Sequence, residues 1–231
     1  MKILKKIEKF NEEHSDANQQ NVWDALAKQW HSYRQRQWKD IEIIINSLGW
    51  KPGKILEIGC GNCRNLLTFA QRGFDCYGID FSKEMLKYAK EFCKKNKIKI
   101  KLKKAKAESL PFPNNSFDYV LSIALLHHLK KSEQLKAVNE MFRILKPGGK
   151  AIATVWNKLN PKFWKFLFKK ETFIPWRIDN KVYRRYYYFF NFWELKKMLK
   201  DRGFKIVKSS SIFSRNIILV IKKPLIIRKN F

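Results

Sequence analysis

The chain has 231 residues, enough to bury a full core and few enough for one domain with additions. Its 49 Lys and Arg against 20 Asp and Glu leave a net charge of +29, which favours a polyanionic partner, nucleic acid first, against a Lys- and Ile-rich compositional bias as the bland source. No stretch approaches the roughly 20 apolar residues of a membrane span, and the opening Met1-Lys2-Ile3-Leu4-Lys5-Lys6 lacks the apolar run of a signal peptide.

Residues 1–50 read as helical. Val22, Leu26 and Trp30 share one face at steps of four, and a second helix carries Trp38, Ile41, Ile45 and Leu48 up to Gly49. The polar-aromatic link from Trp30 to Trp38 is either a lid over a site or the turn of a helical hairpin. Ile55-Leu56-Glu57-Ile58 reads as a buried strand, followed by the turn Gly59-Cys60-Gly61 and a helix over about 62–72 with Asn62 as its N-cap. Gly59 and Gly61 let the backbone turn sharply and approach a nucleotide-like ligand. Cys60-x-x-Cys63 has zinc-ligand spacing, but no second Cys or His pair follows. With Cys76 and Cys93 these thiols fit a reducing, cytoplasmic compartment, and no metal is expected.

Cys76–Asp80 reads as strand two. Asp80 lies close to 20 positions past the glycine turn, where a carboxylate can accept hydrogen bonds from ribose hydroxyls. Ser82 caps a helix over 83–96. Ile98, Ile100 and Leu102 alternate with lysines, as in a strand near a sheet edge. Residues 105–113 form a loop, Phe117–Ile123 strand four, and His127-His128 follow it. The two histidines serve a substrate or pack; without acidic or thiol partners beside them a metal is disfavoured. A helix over 132–145, capped by Ser132, stops at Lys146-Pro147-Gly148-Gly149 before strand five, Lys150–Trp156. This alternation predicts a parallel α/β sheet. Residues 157–190 break the pattern with Phe, Trp and Tyr interleaved with Lys and Arg: either a nucleic-acid contact surface or an inserted subdomain burying its own aromatics. Asn191 and Glu194 mark another helix start, and Lys205–Ser210 with Asn216–Lys222 close the chain as an antiparallel pair.

Four segments in this order resemble the class I S-adenosylmethionine-dependent methyltransferases: Glu57-Ile58-Gly59-Cys60-Gly61, Gly78-Ile79-Asp80, Leu110-Pro111-Phe112 with Ser116-Phe117-Asp118, and Leu145-Lys146-Pro147-Gly148-Gly149. The resemblance implies a Rossmann-like fold with a mostly parallel seven-stranded sheet and helices on both faces. In that layout 1–50 form an N-terminal helical lid, 51–156 the cofactor core, 157–190 a substrate-side insertion and 191–231 the closing helix and strand pair. It also implies S-adenosyl-L-methionine held by Glu57, Gly59, Gly61, Asn62, Asp80, Phe81, Ala107, Glu108 and Ser122.

A narrower match runs over nearly the whole chain. Ser122-Ile123-Ala124-Leu125-Leu126-His127-His128 resembles strand four of the tRNA wobble-uridine carboxyl methyltransferases, free or fused to an AlkB-like dioxygenase. Val22-Trp23-Asp24 with Arg34 and Trp38, Ile174-Pro175-Trp176, Arg185-Tyr186-Tyr187-Tyr188 and Arg215-Asn216 agree with it. The chain departs from the pattern at three places. Cys63 replaces a third loop glycine, Lys106 stands where many relatives carry an adenine-binding acid, and Tyr188 replaces a histidine.

This match implies methyl-esterification of 5-carboxymethyluridine in tRNA. The acceptor carboxylate, with a pKa near 4, is ionised at pH 7 and needs no strong base, so alignment carries the reaction. Arg34, Arg185 and His127 are the catalytic candidates, the arginines because a guanidinium holds a carboxylate bidentately. Either arginine could equally hold the cofactor's carboxylate or a phosphate. Trp38, His128, Trp176, Arg184 and Tyr187 are implied to contact substrate. The family's small zinc-binding activator subunit, which adds a strand to an exposed sheet edge, is an implied partner. The alternatives are a small-molecule methyltransferase acting on a quinone precursor and a catalytically weak, methyltransferase-like RNA-binding protein.

Overall fold

The computed structural model describes residues 19–225; the opening residues, on which the signal-peptide reading falls, lie outside them. The chain begins with α1 (Gln19–Tyr33) and α2 (Lys39–Ser47). Then β1 (Lys54–Ile58), α3 (Leu67–Gln71), β2 (Asp75–Asp80), α4 (Lys83–Lys95), β3 (Lys101–Lys104), β4 (Phe117–Ile123), α5 (Lys131–Ile144) and β5 (Leu145–Trp156) alternate. A two-stranded ribbon, β6 (Glu171–Ile178) and β7 (Lys181–Tyr188), follows, and α6 (Phe192–Asp201), β8 (Lys205–Ser209) and β9 (Asn216–Lys222) close the chain.

Among the described residues seven strands form one sheet in the order β3-β2-β1-β4-β5-β9-β8. The first five pair in parallel, while β9 runs antiparallel to both β5 and β8. The chain order reverses between β1 and β4, the place where open α/β sheets leave a crevice at the strands' carboxyl ends. β1 shows why it is central: Ile55 and Leu56 are both fully buried but face opposite layers. Leu56 packs with the α5 and α6 layer through Val138, Met141 and Leu199. Ile55 packs with the α2, α3 and α4 layer through Ile41, Phe69 and Ala89.

Several boundaries differ from the sequence expectation for local reasons. The helix expected from Asn62 begins at Leu67, after a 3-10 turn over Arg64–Leu66. Cys63 is left-handed at φ 64°, so the chain is not yet helical there and Asn62 is not an N-cap. Instead Asn62 Nδ2 donates to the Arg34 carbonyl at 2.8 Å, fastening the link after α1. The first helix runs through Tyr33, which leaves 34–38 as the link proper. Ser132 is not the cap of α5; Lys130 precedes the helix, and its N–H donates to Glu133 Oε2 at 2.9 Å. β3 starts at Lys101, not Ile98. The ladder of β5 already begins at Leu145, opposite Phe117, before the register shifts to Tyr119 and Lys150. Ser82 and Asn191 do cap their helices, accepting from the N–H groups of Met85 (3.0 Å) and Glu194 (2.8 Å).

Candidate active site

A cavity of about 410 Å³ opens at the carboxyl ends of β1, β2, β4 and β5, a volume suited to a small organic ligand. Its floor is the turn after β1. Gly59 (φ 67°) and Gly61 (φ 52°) are both left-handed. A Cβ on Gly59 would lie 2.7 Å from Leu125 Cδ1, and one on Gly61 2.8 Å from Trp30 Cη2. The turn is therefore closed from both sides by side chains that only glycine admits.

The missing third glycine has a structural answer. Close packing of the turn against the next strand is the usual role of that residue. Here the relief sits on the strand: a Cβ on Gly78 of β2 would meet Cys60 Sγ at 3.0 Å and Cys63 Sγ at 3.1 Å. The two thiols fill the space that Gly78 leaves. All four cysteines are free and buried.

Asp80 ends β2 beside this turn. Its Oδ2 accepts from Gly61 N–H and its Oδ1 from Ser82 N–H, both at 2.9 Å. Burial nevertheless lifts its pKa to about 6. Phe81, Ala107, Glu108 and Lys106 complete this side of the cavity. Glu57 and Ser122 are buried and outside the lining. Glu57 Oε1 accepts from Asn65 Nδ2 at 2.7 Å, and burial pushes its carboxyl up to about 8. It supports the turn from below.

α1 lies across the cavity. Its Asp24 accepts from Ser82 Oγ at 2.6 Å and from Glu84 N–H at 3.2 Å, at the start of α4. His31 stacks on Tyr88 with centroids 4.9 Å apart. On the opposite wall β7 presents Arg185 and Tyr187. The Arg185 guanidinium lies over Trp176 at 4.5 Å and over Tyr187 at 5.2 Å. Arg34 lies over Trp30 at 5.1 Å and Trp176 at 5.6 Å. Burial lowers the pKa of both arginines. Among the described residues no carboxylate is within ion-pair distance of either, and Arg185 Nε is buried without a partner.

His127 is fully buried in the short turn after β4, reached through Ala124 at φ 53°. Its ring lies against both Trp156 (5.1 Å) and Tyr187 (5.5 Å), which also touch each other at 4.8 Å, so the three rings form one cluster. Burial holds it neutral, far below the usual imidazole range. Trp156 N–H donates to its Nδ1 at 3.4 Å, which puts the proton on Nε2, a buried atom with no partner. His128 pairs its Nδ1 with the Tyr186 carbonyl at 3.1 Å, and burial lowers it to about 3.

Of the residues named from sequence, Arg34, Trp38, Gly59, Gly61, Asp80, Phe81, Ala107, Glu108, His127, His128, Arg185 and Tyr187 line this one cavity. Glu57, Asn62, Ser122, Trp176 and Arg184 do not. Trp176 backs the two arginines, and Arg184 sits next to Arg185 on β7, where successive side chains face opposite ways. Sequence reading missed Trp23, Leu125, Trp156 and Arg64 as lining residues. Arg64 adds a third cation to the cavity wall and lies, like Arg34, over Trp30, at 5.6 Å. Its place in the β1 turn was a usable signal.

The glycine cradle, the ribose-competent Asp80 and the topological switch fit a nucleoside-bearing cofactor. Residues 56–153 match the methyltransferase-domain family. A solved S-adenosylmethionine-dependent methyltransferase of Methanosarcina mazei has the same fold, with TM-score 0.67 and 23% identity over 79% of this chain and 97% of that one. Residues 56–153 thus form a methyltransferase domain in an α/β Rossmann-like fold, and its cofactor is S-adenosyl-L-methionine. Two relatives are tRNA (carboxymethyluridine(34)-5-O)-methyltransferases. The Schizosaccharomyces pombe one is 26% identical over 81% of this chain and 88% of its own length. The Arabidopsis thaliana one is 33% identical over 58% of this chain but only 31% of its own length.

Proposed function

We propose that the chain methylates tRNA, esterifying the carboxylate of 5-carboxymethyluridine at the wobble position. The observation that carries this is the pair Arg34 and Arg185, desolvated in one cavity with no carboxylate in ion-pair reach among the described residues. Buried cations are costly until an anion joins them, so the cavity favours a negatively charged acceptor over a neutral quinone precursor. The activity of the yeast and plant relatives supplies the acceptor's identity.

The cradle of Gly59, Gly61 and Asp80, with Ala107 and Glu108, would hold the cofactor. When bound, the cofactor supplies an electrophilic methyl group on a sulfonium. Arg185 and Arg34, backed by Trp176 and Trp30, would orient the acceptor carboxylate. His127, neutral with its proton on Nε2, would donate a hydrogen bond to that carboxylate rather than move a proton. Trp156 and Tyr187, packed against His127 and against each other, would keep water from the reacting oxygen. In this reading α1 and the 34–38 link act as a lid. The exposed edge β3 would take an added strand from a small activator subunit, since among the described residues its outer hydrogen-bonding groups face no neighbouring strand.

The test is incubation with labelled cofactor and tRNA bearing 5-carboxymethyluridine, with and without such an activator, followed by nucleoside mass spectrometry. The methyl ester is expected. A preparation that binds cofactor yet forms no ester under either condition overturns the assignment. Asp80→Ala should weaken cofactor binding, whereas Arg185→Ala should spare it and lower ester formation.

A further inference from the structure

The structure spreads the aromatic residues of 157–190 from core to solvent, with Phe166, Trp176 and Tyr183 half-buried and Phe173 37% exposed on β6. Phe163, Tyr186, Tyr187, Tyr188, Phe189 and Phe190 are buried. Trp164 and Phe168 are not: they are 65% and 98% exposed, and Phe213, in the turn between β8 and β9, is 78% exposed. Large aromatics in water are unfavourable unless something covers them.

The segments that carry Trp164 and Phe213 are stitched together, and Phe168 follows Trp164 by four residues. Asn157 Nδ2 donates to the carbonyls of Ile212 and Ser214, each at 2.8 Å, and Asn160 Nδ2 to that of Arg215 at 3.2 Å. Asn160 also caps the 3-10 turn Pro161–Phe166 that carries Trp164, through Lys162 N–H at 3.1 Å. The surface is purely basic. No Asp or Glu occurs from 157 to 170 or from 202 to 215, while Lys158, Lys162, Lys165, Lys169 and Arg215 do. It also reaches the cavity. Trp156 and Asn216 line the active site, and Lys162 lies over the Trp156 ring at 5.4 Å.

We propose that this surface is a docking platform for unpaired RNA next to the reacting nucleotide, with Trp164, Phe168 and Phe213 stacking on bases and the lysines holding phosphates. The proposal rests on the tRNA reading above. Continuity with the cavity mouth decides for RNA over an anionic membrane: a polynucleotide whose one base enters the cavity must leave its neighbours on the adjoining surface. Alternating cations and flat rings suit single strands, which offer both base faces and phosphates.

The experiment compares the wild type with two double variants of exposed residues, Trp164→Ala/Phe168→Ala and Lys165→Glu/Lys169→Glu. The probes are tRNA, a double-stranded RNA of equal length and anionic phosphatidylglycerol vesicles. Stacking on two bases predicts roughly tenfold or greater loss of tRNA affinity in the aromatic variant. The lysine variant should lower the slope of log affinity against log salt by about one or more. Cofactor affinity and turnover at saturating tRNA should stay unchanged in both. Unaltered tRNA affinity in both variants overturns the proposal, as does wild-type preference for vesicles or duplex. If the variants lose tRNA affinity but no methyl ester forms in the wild type, the platform stands and the substrate assignment falls. If ester forms equally in all three proteins at limiting tRNA, the assignment stands and the platform falls.

Discussion

Trp176 of β6 donates its indole N–H to Gln29 Oε1 of α1, joining the wall that backs both arginines to the helix that covers the glycine turn. A second amide, Gln19, makes the same connection at the other end of α1. Its Nε2 donates to the Arg184 carbonyl at 3.2 Å, and its Oε1 accepts from Tyr186 N–H at 3.0 Å. Substrate-side cations and cofactor-side cover are thus carried by one bonded unit. Gln29→Ala removes the bond that fixes the Trp176 ring under Arg185. A net hydrogen-bond contribution of about 1 kcal/mol corresponds to roughly fivefold. The expected result is a rise of that order in KM for tRNA with little change in cofactor affinity. Equal loss in both affinities would mean that Gln29 only stabilises α1.

Gly61→Ala tests the closure of the turn. The new methyl group would sit 2.8 Å from Trp30 Cη2 at a backbone φ of 52°. The left-handed backbone alone costs about 1–2 kcal/mol for an L side chain, and the contact adds to it. Thermal melts should show clear destabilisation, and cofactor titration a loss of at least tenfold. Adding Trp30→Ala should restore part of the stability, because it removes the contact and leaves the backbone cost. No recovery in the double variant would show that Trp30 does not close the turn.

Two titrating groups predict the pH dependence. Asp80, lifted by burial to about 6, would serve ribose hydroxyls as an ionised acceptor in the proposed cofactor seat. Cofactor affinity should therefore fall about tenfold per pH unit below about 6. His127 stays neutral through this range because burial lowers its pKa far below 6.5, so no histidine limb is expected in kcat/KM from pH 6.5 to 8. Isothermal titration at stepped pH checks the first expectation. A rate limb near pH 7 that disappears in His127→Asn would refute the second.

Glu57 makes a prediction about stability. Its native carboxyl is pushed up to about 8 from an ordinary 4.5, by burial first and against the Asn65 hydrogen bond. Between those values the native state holds a proton that the unfolded state has released. Stability must fall as pH rises through this window. Glu57→Gln keeps an oxygen that can accept from Asn65 but cannot ionise. Its melting temperature should gain on the wild type between pH 5 and pH 8.5. Parallel curves would show that Glu57 is already ionised in the fold.

The strand and helix alternation, the glycine turn and the offset of Asp80 were legible in the chain because they rest on local rules. A buried central strand needs an apolar run, a tight turn needs glycine, and a ribose-binding acid sits one βαβ unit downstream. The caps at Ser82 and Asn191 were legible for the same reason. The misplaced start after Asn62 was not, because Cys63 is held left-handed by packing against Gly78 on another strand. Residues that touch only after folding stayed hidden: Trp30 over Gly61, Trp156 against His127, and Arg64 beside Trp30. Their separations of 31, 29 and 34 positions carry no periodic signal.

By itself the sequence determined the sheet-forming core and the glycine turn with Asp80 beside it, and its charge pointed to a polyanion. Only the tertiary structure decided that Arg34 and Arg185 meet without a carboxylate partner among the described residues, that His127 is neutral with its proton on an unpartnered Nε2, and which aromatics of the insertion face water. Burial, tautomer and the pairing of charges depend on neighbours brought from distant parts of the chain, and only the packed fold supplies them.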